Sequence, residues 1–150
     1  MLKKGDIAPD FSLPDDQGHN FSLYSELAKG PIVLYFYPKD FTAGCTAEAC
    51  GFRDAFESFD KLGYRIVGIS SDPPERHRKF RTEMRLQFTL LSDRERRVAK
   101  LYGSIGFLGI IPGRTTYVIG SDRIIRHSFS SQLDVRGHIS QALDFAKGAE

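Results

Sequence analysis

The two cysteines of the chain, Cys45 and Cys50, are the residues whose spacing most directly suggests chemistry. They follow an apolar run at 32–37 that is typical of a buried strand, and Cys45 opens a segment with helical periodicity. In the first turn of a helix, unpaired backbone N–H groups and the helix dipole favour the thiolate, which is the reactive form of cysteine. Cys50 lies one and a half turns further along, so it would give that thiolate an intramolecular partner.

Three neighbours of Cys45 could tune such a thiolate. Gly44 lets the backbone approach a substrate without a Cβ in the way. The Thr42 hydroxyl can hydrogen-bond the sulfur or an incoming oxygen, and Pro38, which has no backbone N–H, can shield the sulfur from water. An arginine from elsewhere in the chain would complete the site, because a guanidinium favours the thiolate and holds a polar substrate.

Length and composition predict one soluble domain that spans residues 1–150. The chain is 41% hydrophobic and 27% charged, and its net charge of +2 gives no support for a nucleic-acid or membrane partner. The longest apolar stretch, 31–37, is far shorter than the roughly 20 residues that span a bilayer. The first residues lack the apolar core of a signal peptide, so we expect a cytoplasmic protein.

In that compartment a lone cysteine pair is more typical of catalysis or metal binding than of a structural disulfide.

The hydrophobic pattern predicts an α/β fold. Two short segments, 8–13 and 20–23, predict an N-terminal β-hairpin extension. Strands are then expected at 32–37, 64–71, 88–92, 115–119 and 123–129, and helices at 42–60, 72–84, 93–101 and 135–146. The first two long strands should be parallel because a helix joins them, and the closing hairpin adds antiparallel strands. This is the arrangement of a thioredoxin-like fold, a central mixed β-sheet flanked by helices, with catalytic groups at the carboxyl end of the first long strand.

Residues 38–45 form the motif Pro-x-x-x-Thr-x-x-Cys, and the longer string 35–50 resembles the Q-type peroxiredoxins, also called the bacterioferritin-comigratory-protein type. Segments 5–13 and 113–119 also resemble this family, so the resemblance covers nearly the whole chain. Members of the group commonly have Pro where this chain has Ala43. That departure leaves every reactive group in place.

The resemblance implies a thiol peroxidase that needs no cofactor or metal. Cys45 would attack a hydroperoxide and become a sulfenic acid, and Cys50 would condense with it to an intramolecular disulfide. Thioredoxin or a similar dithiol reductant would then reduce the disulfide. Thr42 would orient the peroxide, Arg114 would stabilise the thiolate and the charge developing on the leaving oxygen, and Pro38 would shield the sulfur. A monomer is expected, although dimers occur in the group.

The five-residue spacing of the cysteines sets a geometric condition. On an ideal helix their Cα atoms would lie about 8.7 Å apart, whereas a disulfide needs about 4.4–6.8 Å. If both cysteines are helical in the reduced protein, part of that helix must unwind before they can bond.

Two other functions share these features. A thioredoxin-like dithiol–disulfide reductase has the same fold, but it uses Cys-x-x-Cys, and the gap of four residues here argues against it. A non-enzymatic redox sensor would use the same sulfenate chemistry and stays open.

Several polar residues near the motif have less certain roles. Glu48 either pairs with an arginine of the site or is an ordinary surface carboxylate, and both interpretations stay open. Lys39 and Asp40 are expected to face solvent. The apolar, Gly-rich loop 104–112 either lines the site or contacts a reductase, or packs on the protein's own core. The remaining expectation is that the histidines are surface or partly buried residues without a chemical role: His19, His77, His127 and His138.

Overall fold

Strands and helices alternate along the chain after a short N-terminal hairpin. The computed structural model describes residues 1–106 and 113–148, and none of the helices in these two ranges is long and apolar enough to cross a membrane. The strands are β1 (Ser12–Pro14), β2 (Asn20–Ser22), β3 (Ile32–Phe36), β4 (Arg65–Ser70), β5 (Thr89–Ser92), β6 (Thr115–Ile119) and β7 (Ile125–Ser130). The helices are α1 (Leu23–Leu27), α2 (Ala43–Asp54), α3 (Phe56–Lys61), α4 (Pro74–Met84), α5 (Arg97–Leu101) and α6 (Val135–Gly148).

In the described part of the chain, five strands form a mixed sheet in the order β5-β4-β3-β6-β7. Strands β3, β4 and β5 are parallel, whereas β6 pairs antiparallel with both β3 and β7. The N-terminal strands β1 and β2 form a separate antiparallel hairpin. The predicted mixed sheet and hairpin extension are therefore confirmed. Because β3 is central, its carboxyl end lies in the middle of one edge of the sheet.

Strand β3 is buried throughout because helices cover both faces of the sheet. Leu34 and Phe36 point into one core cluster, beneath α1, α5 and the hairpin. Val33 and Tyr35 point into the other cluster, which α2, α3, α4 and α6 cover. Cys45 belongs to this second cluster, so the candidate thiol sits against the core rather than on a mobile surface.

The helix predicted over 42–60 is divided in the structure. Helix α2 ends before Ala55, whose backbone dihedrals (φ −91°, ψ 0°) leave the helical range, and α3 starts at the next residue. The apolar stripe of Phe52, Phe56 and Phe59 runs across the break, which is why periodicity alone predicted one helix. The short helix α1 was also missed, because five residues are too few for a helical period to stand out.

The predicted start of the third helix at Asp93 was wrong. Helix α5 begins at Arg97, after a turn that ends with Arg96 in the left-handed region (φ 56°). The Asp93 carboxylate nevertheless caps this helix, because it accepts hydrogen bonds from the N–H groups of Val98 (3.2 Å) and Ala99 (2.9 Å).

Replacing Phe52 with Ala should destabilise the fold more than any change on the outer part of α2. The Phe52 ring is fully buried and stacks on Tyr35 with a centroid distance of 4.6 Å. Its loss leaves a cavity, so we expect the free energy of unfolding to fall by about 3–5 kcal/mol, measured by urea denaturation. Phe56→Ala, at a half-buried position, is the matched control and should cost clearly less. Equal losses in the two variants would contradict this packing.

Candidate active site

The connection from β3 to α2 brings Cys45 to the centre of the sheet edge. Cys45 lies in the first turn of α2 and is 1% exposed, whereas Cys50 is half-buried one and a half turns later. Both thiols are free, and both belong to the same helix. The condition set by their spacing therefore applies, and α2 must open before the two sulfurs can bond.

Arg114 reaches the sulfur from the neighbouring strand. Because Thr115 of β6 pairs with Phe36 of β3, the preceding residue lies beside the loop that leads into α2. The guanidinium donates a hydrogen bond from Nη2 to Cys45 Sγ at 3.4 Å and another from Nη1 to Glu48 Oε1 at 2.5 Å. Arg114 thus connects the thiol to a carboxylate one turn further along α2.

Gly44 leaves room for this approach of the arginine. A Cβ at position 44 would lie 3.2 Å from Arg114 Nη2, which is tighter than ordinary contact. We had expected Gly44 to make room for a substrate, and in the structure it makes room for the guanidinium.

Glu48 pairs with the arginine, which decides between its two interpretations. The carboxylate is fully buried and lies against Arg114. Burial raises the pKa of Glu48 to about 7, although Arg114 opposes this rise. Burial works against the charge on Arg114, but the neighbouring Glu48 and Cys45 raise its pKa overall, so it stays a cation.

His138 was not expected at the site, and the prediction that each histidine is a surface or partly buried residue was wrong for His138 and His77. His138 is fully buried in α6, with Nδ1 2.7 Å from Thr116 Oγ1 and 3.7 Å from Glu48 Oε2. Its Nε2 lies 2.8 Å from the Ser131 carbonyl oxygen. Burial lowers the pKa of His138. A signal for its burial existed in the sequence, because His138 shares a four-residue period with the buried Ala142 and Ala146.

The expectation that Asp40 faces solvent was also wrong, whereas Lys39 is exposed. The Asp40 carboxylate accepts a hydrogen bond from the Tyr37 hydroxyl (2.5 Å) and lies 2.6 Å from Nδ1 of His77, which is itself fully buried. Its backbone N–H donates to Asp72 (2.8 Å). These contacts fasten the loop between β3 and α2 to the ends of β4 and α4.

Asp40, Asp72 and His77 place their ligand-type atoms within 4.8 Å of one another, as the ligands of a metal ion would be. Hydrogen bonds already use these atoms, because Asp72 also accepts from the Ser70 hydroxyl (2.5 Å) and pairs with Arg76 (3.1 Å). The cluster therefore serves as a loop anchor in this structure.

Thr42 and Pro38 belong to the connection between β3 and α2. Thr42 is exposed at the start of α2, and its hydroxyl donates to the Lys39 carbonyl at 2.9 Å, so this proton is not directed at the sulfur. Pro38 is half-buried and lines a small cleft with Ser104 and Gly113. Of the predicted loop 104–112, Ser104 is buried and donates to Thr115 (3.0 Å), whereas residues 107–112 lie outside the described part of the chain.

Comparison with known proteins identifies the family. The model of the AhpC/TSA family matches residues 4–128. The chain belongs to this family. The peroxiredoxin Q of Arabidopsis thaliana chloroplasts is 43% identical over 149 residues, which cover 99% of this chain and 68% of the relative. The resemblance to Q-type peroxiredoxins is thereby confirmed, and so is the expectation of an enzyme, a peroxidase.

Solved structures of peroxiredoxins agree in fold. The peroxidoxin BcpB of Mycobacterium tuberculosis has a TM-score of 0.93 and 40% identity, and the match covers 100% of this chain and 99% of that one. A bacterioferritin comigratory protein of Xanthomonas campestris has a TM-score of 0.83 and 27% identity, with 92% and 90% of the two chains covered. The thioredoxin-like fold of this peroxiredoxin is therefore confirmed.

Replacing Arg114 with Ala should slow the reaction of Cys45 with hydrogen peroxide. The substitution removes a charged donor next to the sulfur, and loss of such a donor typically costs about 100- to 1,000-fold in rate. Stopped-flow fluorescence or competition kinetics would measure the second-order rate constant. Arg97→Ala, which changes an exposed arginine of α5, is the matched control and should leave it unchanged. An unaltered rate constant in the Arg114 variant would remove this residue from the chemistry.

Proposed function

We propose that this peroxiredoxin reduces hydroperoxides at Cys45 and that Cys50 resolves the oxidised sulfur as an intramolecular disulfide. The observation that best supports this is the Arg114 guanidinium 3.4 Å from Cys45 Sγ, at the buried first turn of α2. A permanent cation beside a thiol favours the thiolate, which is the form that attacks peroxides.

In the first step, the Cys45 thiolate attacks the oxygen of the hydroperoxide that carries the proton. A sulfur–oxygen bond forms, the oxygen–oxygen bond breaks, and an alkoxide or hydroxide leaves and takes up a proton to become an alcohol or water. Cys45 becomes a sulfenic acid. Arg114 donates to the leaving oxygen as its charge develops, so its hydrogen bonds are strongest in the transition state. Thr42 would turn its hydroxyl toward the bound peroxide, and Pro38 would exclude water.

In the second step, the Cys50 thiolate attacks the sulfenic sulfur, and a hydroxide leaves and is protonated to water. This closes the disulfide and requires part of α2 to unwind, because the helical Cα separation is about 8.7 Å and a disulfide spans at most about 6.8 Å. A dithiol reductant then exchanges with the disulfide and returns both thiols.

The family and its relatives support proposals for the substrate and the reductant. The Xanthomonas campestris relative has alkyl peroxide reduction activity, so we propose alkyl hydroperoxides beside hydrogen peroxide as substrates. The family requires a thiol reductant, and we propose thioredoxin or a similar dithiol protein. The plant relatives are chloroplast proteins, and a cytoplasmic, monomeric state of this chain stays a prediction.

The two cysteines should differ in the effect of their replacement by serine. Cys45→Ser removes the attacking sulfur, so consumption of peroxide coupled to thioredoxin and its reductase should stop. Cys50→Ser should allow one oxidation per molecule and then block recycling through the disulfide. Peroxide consumption and mass spectrometry of the oxidised forms would measure both effects. Turnover of peroxide at the normal rate in Cys45→Ser would refute the proposal, because another residue would then carry the reaction.

Oxidation should expose the amides of α2 to exchange. In the disulfide form, residues 43–52 should lose hydrogen-exchange protection, because the helical turns between the two cysteines cannot persist. Helix α4 should exchange equally in both forms and serves as the internal control. Equal protection of 43–52 in the reduced and oxidised protein would contradict local unwinding.

A further inference from the structure

The hydrogen bonds of His138 determine which of its nitrogens carries a proton. A backbone carbonyl only accepts, so Nε2, at 2.8 Å from the Ser131 oxygen, must donate. In the neutral ring Nδ1 then carries a lone pair and no proton. The Thr116 hydroxyl oxygen lies 2.7 Å from Nδ1 and donates a hydrogen bond to it. The neutral ring is the stable form here, because burial and the nearby Arg114 cation both lower the pKa of His138. The hydrogen bond to the Ser131 carbonyl and the exposed Asp134, which precedes α6, oppose this shift without reversing it.

The free oxygen of Glu48 lies near this acceptor nitrogen of His138. Arg114 binds Oε1, whereas Oε2 is buried and has no hydrogen-bond partner within residues 1–106 and 113–148. Its neighbour at 3.7 Å is His138 Nδ1. If Glu48 is ionised, two electron-rich atoms face each other in a dry environment, which is unfavourable. If Oε2 carries a proton, this repulsion is absent, although 3.7 Å is too long for a hydrogen bond to Nδ1, whose lone pair accepts from Thr116.

The Arg114 cation can therefore pair with either of two anions, the Glu48 carboxylate or the Cys45 thiolate. Arg114 contacts both Glu48 and Cys45 Sγ. Besides His138, Tyr35 also faces this pair, and it stays neutral because burial raises its pKa well above the usual value. When Glu48 is ionised it shares the guanidinium charge with the thiolate. When Glu48 is protonated, the whole charge is available to Cys45.

We propose that His138 is a positioning residue of this site, which keeps a proton on Glu48 and thereby leaves the Arg114 charge to the Cys45 thiolate. The inference rests on the proposed role of Cys45. Protonation of Glu48 would also couple to the reaction, because oxidation of Cys45 to the sulfenic acid or disulfide removes the sulfur anion beside Arg114. Glu48 then ionises beside Arg114, and the proton it releases to solvent balances the proton that the leaving alkoxide takes up. The pKa of Glu48, raised by burial to about 7, places this exchange in the neutral range.

The test uses the full chain with Cys50→Ser, so that Cys45 is the remaining thiol. Ultraviolet thiolate absorbance reports Cys45, and the infrared C=O band of a protonated carboxyl reports Glu48. His138→Gln keeps a donor for the Ser131 carbonyl but removes Nδ1. We expect the Glu48 midpoint to fall by about one pH unit, a tenfold change in its ionisation ratio. The thiolate fraction should also be lower than in the parent near about pH 6.5.

Two further variants separate positioning from folding. Thr116→Val removes the hydroxyl that competes for Nδ1, so the Glu48 midpoint should rise. Glu48→Gln mimics the protonated carboxyl, and adding His138→Gln to it should not change the thiolate titration any further. His127→Gln, which changes a histidine of β7 bonded to Gln141, is the matched control and should shift neither signal.

Two outcomes of these titrations would contradict the role proposed for His138. An unchanged Glu48 band in both His138→Gln and Thr116→Val, or an equal additional effect of His138→Gln in the Glu48→Gln background, would leave His138 with a packing role alone. These readouts need no peroxide. Failure of Cys45 to react with peroxide would therefore refute the proposed function without altering the titration result.

Discussion

A single buried guanidinium, shared between a carboxylate and a sulfur, is the interaction on which the site depends. A cation removed from water must be paired, and breaking a buried pair typically costs about 3–5 kcal/mol. Arg114 finds both partners on one face of α2, because Cys45 and Glu48 are three residues apart in that helix. The pairing therefore exists only while the first turns of α2 are helical, which ties the electrostatics of the thiol to the conformation of the segment that carries it.

The sequence was sufficient for the features that depend on local pattern. Strand β3, the helix after it and the parallel pairing with β4 follow from an apolar run, a helical period and the geometry of a strand–helix–strand connection. The contacts between Arg114 and the residues of α2 join positions 66 and 69 apart in the chain, and no local pattern encodes such a pair. Glu48 stayed ambiguous for this reason. Asp40 was expected to face solvent and His138 to be a surface or partly buried residue, because polar residues are seldom fully buried. A network of partners distant in sequence overrides that tendency.

The loop before α2 is fixed by the same kind of distant contacts. Phe41 has a positive φ of 68°, which is unusual for a bulky residue. Its ring meets Phe80 edge-on at 5.0 Å, and the Arg76 guanidinium lies over it at 5.0 Å. Together with the buried Asp40 carboxylate, these contacts hold the strained backbone in place. The loop on the amino-terminal side of α2 is therefore held rigidly, next to the helix that opens in the proposed cycle.

The break at Ala55 ends α2 and separates it from α3. Helix formation is cooperative within a continuous run of hydrogen-bonded turns, so a helix of residues 43–61 without interruption would open as a larger unit. Because the dihedrals at Ala55 separate the two helices, α3 can keep Phe59 in the core while the preceding turns fray. In the proposed cycle, the free-energy cost of opening is then set by a single short helix, and the global stability of the domain can be high without slowing that cycle.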